Sequence, residues 1–116
     1  MFYEIIHLES QRVLAKKVKP AITFVDRLIG LMFKDKMVGY DGLLLEPAKS
    51  IHNFFVRFPI DVIFLSKNNE VVKTIESFKP WHMTRFYWRA RRVLELKEGT
   101  LSRDIKTGDK IEVRSV

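Results

Sequence analysis

The chain has 116 residues, a length that suits one domain with a single hydrophobic core, and it contains no cysteine. The missing cysteine excludes disulfides, thiolate metal sites and a cysteine nucleophile, and 47% hydrophobic residues exclude a disordered chain. The formal net charge of +7 permits a nucleic acid, an anionic membrane surface or an acidic protein as partner, without requiring any of them.

The N-terminal sequence MFYEIIHLES has an acidic residue, Glu4, and no long apolar run, so it makes a poor secretory signal. No window reaches the roughly 18 apolar residues of a membrane-spanning helix. No repeat, linker or low-complexity segment divides the chain. We therefore expect a soluble cytoplasmic protein that forms a single compact domain over residues 1–116.

The first predicted elements are two short strands, in EIIHL and RVLAKKV, followed by a helix. In the helical segment, apolar side chains recur at intervals of four, three and one residues, at Phe24, Leu28, Leu31 and Met32. Thr23 suits the N-cap position of this helix. The pattern predicts the main helix of the chain at about 22–33.

The rest of the chain has the pattern of short strands. GLLLEP, SIHNFFV, IDVIFLS and EVVKTIESF come first, and the KNNE sequence between the last two predicts a hairpin. ARRVLELK and the terminal KTGDKIEVRSV follow. About seven strands and one helix predict an α+β protein with a small, curved or barrel-like, mostly antiparallel sheet and the helix packed over it.

Four segments carry a recognisable family pattern: TFVDRLIGLMF, GLLLEPAKSIHNFFVRFPIDVIFLSKNNEVVKTI, ARRVLELKEGT and IKTGDKIEV. In order and spacing, over residues 22–113, they resemble the domain-of-unknown-function family 192. The resemblance implies a compact, mostly β fold with one main helix. It implies no particular reaction, because the family has no established activity.

The segment SIHNFFVRFPIDVIFLS, residues 50–66, carries four polar side chains inside an apolar run: His52, Asn53, Arg57 and Asp61. We interpret the segment as two neighbouring strands, and by resemblance we expect these four groups at the strand end. The favoured interpretation is structural, with Asp61 accepting backbone N–H groups or pairing with an arginine. The alternative is a small hydrolase-like enzyme, in which His52 and Asp61 meet at the mouth of the sheet and Arg57 holds an anion.

No metal or cofactor is predicted. His7, His52 and His82 are scattered, and no two of them have the spacing of metal ligands on one strand or helix. The two glycines of GYDGLLLE are not followed by the Lys-Ser pair of a phosphate loop. No serine or threonine lies in an activating motif either, so the sequence favours a non-catalytic protein.

Residues 79–92, KPWHMTRFYWRARR, combine five cationic side chains with four aromatic ones and contain no acid. The candidate contact residues are Trp81, Arg85, Tyr87, Trp88, Arg89 and Arg91. Arginines beside stacking aromatics are typical of single-stranded nucleic-acid binding, and an anionic membrane surface would suit the same residues. A protein partner is a further possibility, and so is a simple lid in which the tryptophans cover the core.

We therefore predict a non-catalytic ligand- or partner-binding module. The first alternative is a protein that binds single-stranded nucleic acid or another polyanion through residues 79–92. The second is the hydrolase-like enzyme that uses His52 and Asp61.

Overall fold

The computed structural model describes residues 1–23, 26, 30–32, 34–101 and 104–116. Its elements are seven strands: β1 (Tyr3–His7), β2 (Arg12–Ala21), β3 (Gly42–Leu45), β4 (Ile60–Leu65), β5 (Val71–Phe78), β6 (Arg92–Lys97) and β7 (Ile111–Ser115). They form one sheet in the order β5-β4-β6-β3-β2-β1-β7. Strands β2 and β3 run parallel, and all other neighbours run antiparallel.

The sheet curls until its two edge strands meet at one end. Glu70, just before β5, forms an isolated bridge with Lys110, just before β7. The Val71 N–H also donates to the carbonyl oxygen of Asp109 at 2.8 Å. The result is a half-barrel whose edges are joined at one end, which leaves fewer unpaired backbone groups along the edges.

The prediction of an α+β fold with a main helix was wrong, because the described part of the chain is all-β. Half of the residues in the helix predicted at 22–33 lie outside the described part, namely 24, 25, 27–29 and 33. Within the described part, the Asp26 N–H donates to Thr23 Oγ1 at 3.0 Å. Helical spacing is a local signal, whereas strands distant in sequence build the observed core. Among the described residues, no helix is long and apolar enough to cross a membrane.

The curled sheet buries apolar side chains on both faces, because successive residues of a strand point to opposite sides. The inner core lies within the curl and takes side chains from all seven strands, including Ile63 and Leu94. The outer core lies on the other face, where Val62 and Val93 pack against loop residues such as Val56. A small sheet is therefore covered on both sides, partly by its own loops.

The predicted hairpin is present, since β4 and β5 pair antiparallel around the KNNE turn. The strand predicted in SIHNFFV is not. Within residues 50–58, all of them described, strand-like pairing is limited to one isolated bridge between His52 and Met83. Residues 50–66 therefore do not fold back as two neighbouring strands, and residues 50–58 belong to the loop layer over the outer core.

Candidate binding surface

Asp61 lies in β4, and its carboxylate is used entirely by the backbone. Its Oδ1 accepts the Ser77 N–H at 2.9 Å, and its Oδ2 accepts the N–H groups of Gly99 at 3.0 Å and Leu101 at 2.8 Å. The residue is only 1% exposed. Three donors satisfy a buried charge and tie β4 to the end of β5 and to the loop after β6. The contacts of Asp61 are thus those of a structural carboxylate.

His52 lies on the opposite side of the sheet from Asp61. Asp61 shares a strand face with Ile63 of the inner core, whereas the loop of His52 packs into the outer core through Val56. The His52 ring stacks on Phe54, with centroids 5.1 Å apart, and its Nδ1 accepts the Phe54 N–H at 3.2 Å. The sheet separates the imidazole from the carboxylate, so the two groups do not meet at a shared rim.

Asn53 and Arg57 are also separated by their contacts. Asn53 is 1% exposed, and its Nδ2 donates to the Phe78 carbonyl oxygen at 3.1 Å, while its Oδ1 has no hydrogen-bond partner in the described part of the chain. Arg57 is exposed and pairs with Asp35 at 3.0 Å. Asn53 therefore holds the loop to the end of β5, and the four polar residues of 50–66 do not form one site.

The segment of residues 79–91, which we call the 79–91 segment, is fixed to the body of the protein. Three of its N–H groups donate at 2.8–2.9 Å to backbone carbonyls of the loop: Trp81 to Asn53, Thr84 to Ile51 and Tyr87 to Lys49. The ring of Tyr87 is half-buried and packs against Phe64, with centroids 4.6 Å apart. Tyr87 thus anchors the segment to the outer core, and this contact distinguishes it from the other predicted contact residues.

Large apolar side chains project from this fixed backbone into solvent. The exposed fractions are 61% for Trp81, 69% for Met83, 54% for Phe86 and 80% for Trp88. Phe86 and Trp88 meet edge to face at 5.1 Å, and Trp81 meets Phe55 in the same way at 4.7 Å. The two tryptophans therefore do not simply cover the core. Clusters of exposed apolar groups are a common feature of contact surfaces.

Phe55 and Trp81 adopt a backbone conformation that bulky residues normally avoid. Their φ angles are 63° and 67°, in the left-handed region. Such a conformation costs on the order of 1–3 kcal/mol and persists where the surrounding structure enforces it, often at functional positions. The two rings line a concavity of about 440 Å³ together with Val56, Arg57 and Pro80. Both rings are largely exposed, Phe55 at 46% and Trp81 at 61%, so they contribute little to the core.

The arginines of the 79–91 segment differ from the others in their ion pairing. Arg85, Arg89 and Arg91 are exposed and form no ion pair within the part of the chain that the structure describes. Every other described arginine forms at least one: Arg12, Arg57, Arg92 and Arg114. The positive charges beside the exposed rings are therefore available to an external anion.

A polar cluster around His7 was missed from the sequence. His7 is buried, its Nε2 hydrogen-bonds Asp109 Oδ2 at 2.8 Å, and Glu9 Oε1 lies 3.6 Å from the same nitrogen. Ligand atoms of these three residues lie within 4.8 Å of one another, a spacing that would fit a metal ion. Asp109 also accepts the Lys106 N–H, and this bond and the His7 contact lower the pKa of Asp109. The cluster joins residues about 100 positions apart, so only strand pairing reveals it.

Glu95 is a second group that the sequence did not single out. It lies in β6, where its cross-strand neighbours are Val62 and Leu43, both members of the outer core. Burial raises the pKa of Glu95 to about 8. This carboxyl group is consequently neutral over most of the physiological pH range. A hydrophobic strand sequence such as RVLELK gives no sign of which face its glutamate occupies.

The half-barrel and its exposed surface define a small all-β domain with a fixed aromatic and basic face. The chain belongs to the domain-of-unknown-function family 192, whose model, described as Uncharacterized ACR, matches residues 5–113. The resemblance identified in the sequence is thereby confirmed.

Curated relatives and a solved structure agree with this assignment. The chain is 39% identical over 101 residues to a UPF0127 protein of Pyrococcus horikoshii, a match that spans 83% of this chain and 86% of that protein. It is 38% identical over 103 residues to a UPF0127 protein of Pyrococcus furiosus, with 83% and 85% covered. A protein of unknown function from Novosphingobium aromaticivorans has a similar fold, with a TM-score of 0.78, 22% identity, and 95% of this chain and 82% of that chain covered.

Proposed function

We propose that this protein is a non-catalytic binding module that holds single-stranded nucleic acid along the 79–91 segment. The observation that carries the proposal is the contrast in ion pairing. Arg85, Arg89 and Arg91 have no acidic partner in the described structure, although the arginines described elsewhere do. Unpaired guanidinium groups interleaved with exposed rings match the two chemical features of a single strand, its phosphates and its bases.

The fixed backbone of the segment favours binding. Base stacking on an aromatic side chain contributes about 1–3 kcal/mol per base and tolerates any sequence. Trp81 and Trp88 offer such rings at 61% and 80% exposure. Because hydrogen bonds to residues 49–53 already order the segment, little conformational entropy remains to be lost on binding. We therefore expect affinity with weak sequence preference and strong dependence on salt.

The contacts of the polar residues argue against the hydrolase-like alternative. The Asp61 carboxylate is occupied by three backbone donors, and it lies across the sheet from His52. A general base oriented by a carboxylate requires the two groups within hydrogen-bond reach. His52 and Asp61 therefore lack the geometry that this alternative needs.

The test uses the intrinsic fluorescence of the protein, because both tryptophans of the chain, Trp81 and Trp88, lie in the 79–91 segment. Titration with a short single-stranded RNA is expected to quench this fluorescence. The logarithm of the association constant should fall linearly with the logarithm of salt concentration. The double variant Arg85→Ala with Arg89→Ala should bind at least tenfold more weakly at low salt, and its salt slope should be smaller by about 1.4.

The matched control is Lys16→Ala with Lys17→Ala, which removes the same two charges from exposed positions of β2. This control should retain near-normal affinity. If RNA fails to bind at low salt, or if the two double variants lose affinity equally, the proposal is wrong. Quenching by anionic vesicles but not by RNA would instead favour a membrane surface, and salt-independent binding of a protein would favour an apolar protein interface.

A further inference from the structure

One end of the 79–91 segment borders a concavity of about 280 Å³, formed with the turn between β4 and β5. We infer that this concavity, the turn cavity, binds a nucleoside monophosphate group, either as the phosphorylated end of a strand or as a free nucleotide. The inference rests on the proposed function and deepens it, since it names the chemical group held at one end of the surface. The cavity lies between residues 66–68 and 70 of the turn and residues 88–91 of the segment, with Lys49 beside them.

The turn that forms one wall of the cavity is held by hydrogen bonds of its own. Ser66 Oγ accepts the N–H groups of Asn68 at 3.3 Å and Glu70 at 3.2 Å, which closes the turn on itself. The guanidinium group of Arg92 donates to the side-chain oxygen of Asn69 and so fixes the outer part of the turn. A wall held in this way does not need to be ordered by a ligand.

The opposite wall is the end of the 79–91 segment, and it is fixed equally well. The Arg91 N–H donates to the Leu65 carbonyl oxygen at 2.7 Å, next to the start of the turn. The Lys49 ammonium donates to the carbonyl oxygens of Trp88 at 2.9 Å and Ala90 at 2.7 Å. An ammonium group has three N–H donors, so one donor of Lys49 remains for a ligand in the cavity.

The charge of the lining matches a dianionic group. Four cationic residues, Lys49, Lys67, Arg89 and Arg91, line the cavity together with a single acidic residue, Glu70. A phosphomonoester carries about −1.5 to −2 charge at neutral pH, whereas an internal phosphodiester of a strand carries −1. The concentration of cations therefore favours a terminal phosphate over an internal one.

The position and size of the cavity also suit a single nucleotide. Trp88, exposed at 80%, stands at the edge of the cavity, where its ring can stack on a base while the phosphate enters between the cations. A volume of about 280 Å³ is near the lower end of small-molecule sites. The cavity lies where the β4–β5 turn adjoins the last residues of the 79–91 segment, so a strand that follows the segment would reach it there.

The test compares a short RNA with a 5′-phosphate, the same RNA with a 3′-phosphate, the same RNA without a terminal phosphate, and adenosine monophosphate alone. We expect one phosphorylated end to bind at least tenfold more tightly than the unphosphorylated strand. Lys67→Ala should reduce this difference to less than threefold while changing the affinity for the unphosphorylated strand less than twofold. Lys67 is chosen because it lies outside the 79–91 segment. Lys73→Ala, an exposed lysine of β5 away from the cavity, is the control and should change neither affinity.

The outcomes separate this inference from the proposed function. Strand binding without any effect of a terminal phosphate, or with an effect that Lys67→Ala leaves intact, overturns the inference and leaves the proposed function standing. Binding of adenosine monophosphate that depends on Lys67, without any strand binding, supports the inference for a free nucleotide and rejects the proposed function. Absence of all binding rejects both.

Discussion

The surroundings of Asp61 and the 79–91 segment show two opposite uses of polar residues in the same small protein. Around Asp61, each carboxylate oxygen meets backbone donors at 2.8–3.0 Å, and the residue is sealed from solvent. In the 79–91 segment, the guanidinium groups have no acidic partners in the described structure, and the largest rings face solvent. The first region uses its polar groups to hold the fold, whereas the second leaves them available.

This difference separates the polar groups that should contribute to stability from those that should contribute to binding. Groups whose bonds are satisfied internally should matter for unfolding, and groups left unsatisfied at the surface should matter for a partner. Measurements of the free energy of unfolding on single variants therefore test the comparison directly, in the order of the effects that we expect.

Asp61→Ala should have the largest effect. It leaves three backbone N–H groups without their acceptor, and each unsatisfied buried group costs about 1–3 kcal/mol. We expect a loss of about 3–5 kcal/mol in urea unfolding at neutral pH. Asp61→Asn keeps one acceptor oxygen and should lose less. A loss below about 1 kcal/mol for Asp61→Ala would contradict the structural role of this carboxylate.

Glu95→Gln should have the next largest effect, and it should depend on pH. Burial raises the pKa of Glu95 from 4.5 to about 8, so the folded protein holds a proton between these values that the unfolded chain releases. The free energy of unfolding therefore falls by about 1.4 kcal/mol per pH unit as the pH rises through this window. Between pH 5 and pH 7 the variant should lose about 3 kcal/mol less than the original protein. Parallel pH profiles would show that Glu95 is ionised in the folded state.

Asp109→Asn should have a smaller effect on the free energy of unfolding, and its dependence on pH should run in the opposite direction. Hydrogen bonds from the Lys106 N–H and His7 lower the pKa of Asp109 in the folded protein. The carboxylate therefore contributes to the free energy of unfolding above the unfolded-state pKa near 3.8. This contribution is lost as the pH falls through the lower pKa of the folded state. The variant should be less stable at neutral pH, and the difference should shrink in strong acid. Glu9 and Asp104 lie 3.6 and 3.8 Å from His7, so the readout is the difference between the variant and the original protein over the same titration. A difference that grows in acid would contradict the prediction.

The double variant Arg85→Ala with Arg89→Ala should have the smallest effect on unfolding, within about 0.5 kcal/mol, because neither side chain is buried or paired in the described structure. The same variant should have the largest effect on RNA affinity. A loss of stability similar to that of Asp61→Ala would show that the 79–91 segment serves the fold and would remove the contrast between the two regions.

Much of the strand content follows from local sequence. The apolar run IDVIFLS and the alternation of EVVKTIESF flank a turn rich in asparagine, and they do form the hairpin of β4 and β5. The run SIHNFFV looked equally strand-like but makes one isolated bridge, because its partner is the irregular backbone near Met83 rather than β4. Apolar composition is required for a buried loop as well as for a strand, so composition cannot separate the two.

The candidate site was predictable only as far as it depends on local composition. The basic and aromatic composition of residues 79–92 pointed to the candidate surface, since charge and ring content can be read directly from the sequence. Three features of the surface depend instead on residues that are distant in sequence. They are the exposure of Trp81 and Trp88, the anchoring role of Tyr87 and, in the described structure, the absence of acidic partners for the arginines. The turn cavity likewise joins Lys49, Lys67 and Arg91, which no local pattern relates.

By itself the sequence determined the family, the hairpin of β4 and β5, and the cationic, ring-rich composition of one stretch, because these depend on nearby residues. Only the tertiary structure decided the all-β architecture of the described chain, the separation of His52 from Asp61 by the sheet, and the burial of Glu95. The physical reason is that the orientation of each strand in a curled sheet depends on partners far along the chain. This orientation decides whether a polar side chain faces the core, a backbone donor or water.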